Sequence, residues 1–396
     1  MLSGMNETAH RPPPRNALKR TAAVLALLIL FCVVWFFATR VTRSDLGIAA
    51  EHAAGAPACG IPLFADLRIY PRKDKSGNVI KDESGKEIKD PNYEVVANEY
   101  LQYGVASSNA YGKDQTFVLS SYDRDWQPVD LEAIGLNTPH WNGFDLRAFK
   151  KDKQDPVEIL IAFRGTDEAW KDGPLWDGIK DWFFGNGSWI TQWVPWWDQY
   201  RDARRAVQLI RQRAEKAYAG RPVFYTATGH SLGGGLSVHV ARAFPCTRAI
   251  VFNPSCVTNE FRLAKPFPSQ TVVISETGDP LTGICARFFE LKHGGPTHVY
   301  AGANLILKKE SARAQHSIEK YSAGMARMAV CCAQTNERGF VGKSKNECSC
   351  DKSIMASYKK AYGLFCGEFG RLENDAACDF KSKRAVEEQC VRSGCD

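Results

Sequence analysis

The stretch that decides the fold is TATGHSLGGGLSVHVA, residues 226–241. It holds one serine between glycines, Gly229-His230-Ser231-Leu232-Gly233. Two readings compete: a nucleophile on a sharp turn between a strand and a helix, or a serine that merely caps a helix. The residues upstream, PVFYTAT, read as a strand, and a helix is predicted from Leu232. A nucleophile turn forces the serine into an unfavourable backbone conformation and leaves no room for a side chain two residues to either side, which gives Gly229 and Gly233 a steric reason. A cap explains neither glycine. Nor does it explain Gly233, Gly234 and Gly235 in the first helical turn, where each costs about 1 kcal/mol relative to alanine. The nucleophile is the preferred reading.

Outward from this stretch, strands and helices alternate. NEYLQYGVASSNAYG has helical spacing, with Tyr100, Tyr103, Ala106 and Ala110 on one side. FDLRAFKK alternates like a strand, KDKQDP turns, and VEILIAFRG is an apolar run suited to a buried strand. YRDARRAVQLIRQRAEKAYAG reads as an amphipathic helix, with Ala203, Ala206, Val207, Ile210, Ala214 and Ala217 on one face and Gly220 as its stop. The strands TRAIVFNPS and TVVISETGD follow the serine stretch. Repeated strand–helix–strand units predict an α/β fold, a mostly parallel sheet with helices on both faces.

A serine nucleophile needs a base and an orienting acid, and on such a sheet the chain order is serine, acid, histidine. Asp279, just beyond the strand TVVISE, is the candidate acid, with Glu276 as its competitor. His293, His298 and His316 follow a plausible acid. Of these, His316 heads an amphipathic segment running to Ala329, His298 reads as a strand position, and His293 lies in a loop. The side chain of His230 is expected to point away from the site.

Four blocks in order, IAFRGT (161–166), GHSLGG (229–234), GDP (278–280) and HSIEKY (316–321), resemble the signatures of class 3 lipases over roughly residues 93–330. The resemblance implies an α/β-hydrolase fold and a catalytic triad of Ser231, Asp279 and His316. It also implies an oxyanion hole formed at Thr166 and Leu232, and a structural role for Arg164. No metal and no organic cofactor is implied. Seven of the ten tryptophans gather between Thr166 and Tyr200. In the resembled family a lid often occupies this place, so 167–198 is read as a lid-like insertion, with Trp193, Trp196 and Trp197 as candidates to meet lipid or substrate. An ordinary packed subdomain remains the alternative.

Composition sets the surroundings. The formal net charge is +7. Six basic residues and one acidic residue fall within residues 1–43, so the rest of the chain is nearly balanced and carries no nucleic-acid footprint. Thr21–Thr39 is free of charge. As a helix it spans roughly 28 Å, close to the thickness of a bilayer core. With more basic residues before it than after, residues 1–20 are assigned to the cytoplasm and 21–39 to a transmembrane signal anchor. A cleaved signal peptide is the rival, but FFATRVTR makes a poor cleavage site.

Residues 40–92 are read as a linker with an exposed hairpin-like excursion around Ser76–Asp90, and 93–330 as the hydrolase domain. Eight of thirteen cysteines crowd into 331–396, a segment poor in large aliphatic residues. Disulfides in an oxidising exported compartment suit such a tail. The sequence therefore predicts a single-pass, membrane-tethered serine ester hydrolase, lipase- or phospholipase-like, acting on a lipid or acyl ester. A thioesterase or small-ester esterase with the same triad, and a silent hydrolase-fold binding module, are the alternatives.

Overall fold

In a computed structural model, the residues described are 119–140, 142–165 and 198–276, most of 60–112, and shorter pieces at 24–30, 40–46 and 279–326. The predicted transmembrane segment (apart from Val24–Leu27 and Leu30), the insertion from Thr166 through Trp197, His293 and the cysteine-rich tail lie outside them. Among the described residues no helix is long and apolar enough to cross a membrane.

The apolar runs form one sheet. Strands β1 (Arg68–Pro71) and β2 (Lys89–Pro91) pair by themselves. A seven-stranded sheet then follows chain order: β3 (Gln127–Pro128), β4 (Leu146–Lys151), β5 (Val157–Phe163), β6 (Val223–His230), β7 (Thr247–Phe252), β8 (Thr271–Glu276) and β9 (Thr297–Ala303). β5 to β9 run parallel, and β3 and β4 add an antiparallel edge. This is a mostly parallel α/β sheet, consistent with an α/β-hydrolase-like fold.

Both faces of the sheet are covered, which is why β5 is buried along its whole length and reads as a continuous apolar run. Leu160 and Ala162 face helix α1 (Tyr93–Asn109) through Tyr100, Tyr103 and Ala106; Ile318, Tyr321 and Met325 join that cluster. Ile159, Ile161 and Phe163 face the other way, onto helices α2 (Gln199–Ala217) and α3 (Leu232–Ala243). The predicted stripe on α2 is buried at Ala203, Ala206, Val207, Ile210 and Ala214. Ala217, by contrast, is exposed in the helix's last turn, just before Gly220 takes φ +82°. Asp198 caps this helix, accepting from the amides of Tyr200 and Arg201.

A buried polar knot ties the strand beginnings together. The Glu158 carboxylate accepts from Thr226 Oγ1 (2.6 Å) and Arg248 (3.2 Å), and Arg248 also donates to Tyr103 (2.9 Å) and to the carbonyl of Pro62. The Arg248 guanidinium stacks over Phe64. The segment around Pro62–Leu67 is therefore strapped to the domain, and the Leu67 amide donates to Tyr300. Of the predicted linker, this part and Arg40–Leu46 are packed on the sheet domain. The near-repeat beyond β1 forms bridges Lys73–Val79 and Lys81–Glu87, with Gly77 and Gly85 at positive φ.

Candidate active site

β6 ends at His230 and α3 begins at Leu232, so Ser231 is the whole of the turn. Its backbone sits at φ 55°, ψ −126°, a region that costs a non-glycine residue about 1–3 kcal/mol. The surroundings hold it there. Its amide donates to the Phe252 carbonyl, and its own carbonyl accepts from Gly234, Gly235 and Ser255. The side chain makes no capping hydrogen bond. A serine placed only to cap the helix would make that bond and adopt an extended backbone. The cap reading therefore fails on both counts.

The flanking glycines are required by close approach. A Cβ on Gly229 would run into the backbone of Gly233 and Gly234; one on Gly233 would run into Phe163 and Arg164 at the end of β5. Gly165 is equally confined, because a Cβ there would strike the Tyr111 hydroxyl and the His230 carbonyl. The glycines draw the end of β5 and the start of α3 together around Ser231. Leu232, first in the helix, has its amide at the helix N-terminus, where unpaired donors and the helix dipole favour a developing negative charge.

Asp279 lies three residues beyond β8 and is buried. One carboxylate oxygen accepts from the Leu281 amide (2.8 Å), and the other accepts from His316 Nδ1 at 2.5 Å. The carboxylate thereby fixes the histidine tautomer and leaves Nε2 as the available base. The His316 ring packs against that of His230, centroids 4.4 Å apart, beside Ser231. Asp279 and His316 are thus paired beyond the ends of the parallel strands, and His316 meets the Ser231 turn through its contact with His230.

Other candidates fall elsewhere. Glu276 is buried at the end of β8, with its amide donating to Asn253. His298 stands near the start of β9, opposite Val272, and faces Asp66 at 3.9 Å, on the far edge of the sheet. Thr166, Trp193, Trp196 and Trp197 are outside the described residues. Arg164 pairs with Asp145 (3.6 Å), and its amide donates to the Asp145 carbonyl, which fits a structural role. Among the described residues no group of histidine, cysteine and carboxylate side chains could hold a metal ion.

The expectation for His230 needs correction, since its ring turns toward the site. The Tyr111 hydroxyl lies 3.0 Å from its Nδ1. The same hydroxyl lies against Gly165. His230 Nε2 is buried without a hydrogen-bond partner among the described residues. Burial, and next the charge of His316, hold His230 well below the usual imidazole range, so it stays neutral. A chain of contacts therefore runs from Gly165 through Tyr111 and His230 to His316. Sequence reasoning missed Tyr111, because a tyrosine at the end of a helix carries no signal of its own.

Known proteins add little to this geometry. No family model matches the chain, and no curated protein matches it. A lipase II from Rhizopus niveus is among the solved structures it is similar to, at 14% identity and a TM-score of 0.33, covering 53% of this chain and 82% of that one. So distant a likeness carries no argument. The functional reading rests on the sheet and on the residues around Ser231.

Proposed function

We propose that the chain is a serine carboxylic-ester hydrolase, lipase- or phospholipase-like, working through an acyl-enzyme. The observation that carries this reading is the strained Ser231, uncapped and buried, with a histidine held by a buried aspartate packed on the ring of the adjoining His230. In the first half-reaction His316 Nε2 takes the Ser231 hydroxyl proton as Oγ attacks the acyl carbon. Negative charge on the carbonyl oxygen is met by the Leu232 amide and by Thr166. Collapse expels the alcohol, which receives the proton from His316. Water, deprotonated by the same histidine, then attacks the acyl-serine, and the acid leaves as Ser231 regains its proton. Asp279 holds the imidazole in orientation and stabilises it when charged.

Residues 21–39 would anchor the enzyme in a bilayer, with the domain in an oxidising exported compartment. The disulfide Cys256–Cys285 supports that compartment. An enzyme tied to a membrane favours glycerolipid or phospholipid esters, and the insertion with Trp193, Trp196 and Trp197 is a lid suited to a lipid surface. The test is hydrolysis of p-nitrophenyl butyrate and of phosphatidylcholine vesicles by the full chain in detergent. Ester hydrolysis that falls at least 10³-fold in Ser231→Ala supports the reading. Hydrolysis unchanged in that variant, or none in the folded wild type, overturns it.

A further inference from the structure

The charge-free segment ends at Thr39, and the next residue is already docked on the domain. Arg40 donates through its guanidinium to the Leu263 carbonyl (2.9 Å). The Val41 amide donates to the Arg262 carbonyl, the Ala264 amide donates back to Val41, and Val41 bridges Leu263 in parallel. Thr42 and Asp45 close a small turn (2.7 Å), after which Leu46 is buried in the same cluster as Leu263. No slack separates the apolar segment from this docking site.

The loop that receives Arg40 and Val41 starts at the nucleophile. Ser255 donates its amide to the Ser231 carbonyl, and Cys256 is pinned to Cys285. From there the loop descends along α3. Val257 accepts from the Tyr200 hydroxyl, the Thr258 carbonyl meets His239, and Glu260 pairs with Arg242 (3.2 Å). At 1.5 Å per residue, Arg242 lies roughly 16 Å along the helix axis from Ser231. Next to Glu260 stands Phe261, 45% exposed. Among the described residues the other exposed large hydrophobic side chains are Val24, Leu25, Leu27 and Leu30, all within the charge-free segment. Lys265, four residues after Phe261, is exposed as well.

We propose that the loop around Phe261 is a bilayer-contact surface. Phe261 seats at the boundary of headgroups and acyl chains in the membrane that holds residues 21–39, with Lys265 at headgroup depth. The occupant is a lipid surface because the apolar segment ends one residue before the loop's docked partner, so a helix embedded there brings this loop to the interface. An exposed aromatic beside a basic residue is the composition such an interface takes. The domain then lies with the flank of α3 toward the membrane and Ser231 at a fixed height above it, within reach of that membrane's own lipids. This rests on the proposed anchoring of 21–39.

The test places the photoreactive p-benzoylphenylalanine at position 261 of the full chain, in phosphatidylcholine–phosphatidylglycerol proteoliposomes carrying an alkyne-tagged phospholipid. A second chain carries it at Ser76, exposed in the hairpin beyond β1. Retention in vesicles after alkaline carbonate washing reads the anchor separately. The expected result is retention, with lipid crosslinking at 261 at least fivefold above that at 76. Retention with equal crosslinking at the two positions overturns the contact surface and leaves the anchor standing. Release by carbonate overturns the anchor, and the contact surface with it.

Discussion

Replacing Gly233 by alanine should cost activity out of proportion to stability. The new Cβ would lie 2.9 Å from the carbonyl carbons of both Phe163 and Arg164, and closer still to the Phe163 oxygen. These are backbone atoms at the end of a central strand, so no side chain can swing away to make room. Restoring ordinary contact distances requires the end of β5, or the start of α3, to move by roughly 1 Å or slightly more. Overpacking of this kind costs about 1–3 kcal/mol of stability. The displaced segments are the ones that carry Gly165, Ser231 and Leu232, and a shift of about 1 Å in a reacting constellation costs on the order of 100-fold in rate.

Urea denaturation and kcat for a soluble ester, measured on Gly233→Ala, give the two quantities. Gly77→Ala is the control. It sits at φ +85° in open space within the hairpin, so it loses about 1–2 kcal/mol from backbone strain without touching the site. The expected outcome is similar destabilisation in both variants, with activity lost in Gly233→Ala alone. A folded Gly233→Ala enzyme within threefold of wild-type kcat would refute the steric explanation of the turn.

Other parts of the structure carry their own expected outcomes. Tyr111→Phe removes the hydroxyl between Gly165 and His230; kcat should fall about tenfold, with KM little changed and the pH profile of kcat displaced. An unchanged profile would leave Tyr111 merely structural. Glu158→Ala strands the buried Arg248 charge and should cost about 3–5 kcal/mol in urea denaturation; a loss under about 1 kcal/mol would contradict the role of the polar knot.

Stability should also fall in mild acid. His230 and His239 are buried, and desolvation holds both well below the usual imidazole range. Below about pH 6.5 the unfolded chain therefore binds protons that the native protein refuses, and unfolding gains. From about pH 6.5 to 5.5 two such histidines remove about 2 kcal/mol. Asp198, pushed up by burial, works in the opposite sense at lower pH. Stability that stays flat across that window would be the contrary result.

Much of the site was legible because strong local chemistry marks it. Three glycines in a helix's first turn, next to a serine, have few explanations, and the apolar runs at β5, β6, β7 and β8 could only be strands buried on both faces. The pairing of Asp279 with His316 was legible through chain order and through the resemblance. The choice against His298 required knowing that it stands at the opposite end of its strand from the one that delivers Asp279. The inward turn of His230 was not legible, because the direction of a side chain next to a strained residue depends on what packs there, in this protein Tyr111 and His316. Nor was the docking of Arg40–Leu46, since short polar pieces acquire their place from the loop they meet. The Cys256–Cys285 bond lies between residues far apart in sequence, and pairing cannot be read from spacing.

The central claim is that Ser231 is a nucleophile activated by His316. Treating the folded full chain with a fluorophosphonate probe and mapping the adduct by mass spectrometry tests it most directly. The predicted result is one adduct, on Ser231, absent in Ser231→Ala and formed at least 100-fold more slowly in His316→Ala. An unlabelled Ser231, or labelling whose rate does not depend on His316, would contradict it.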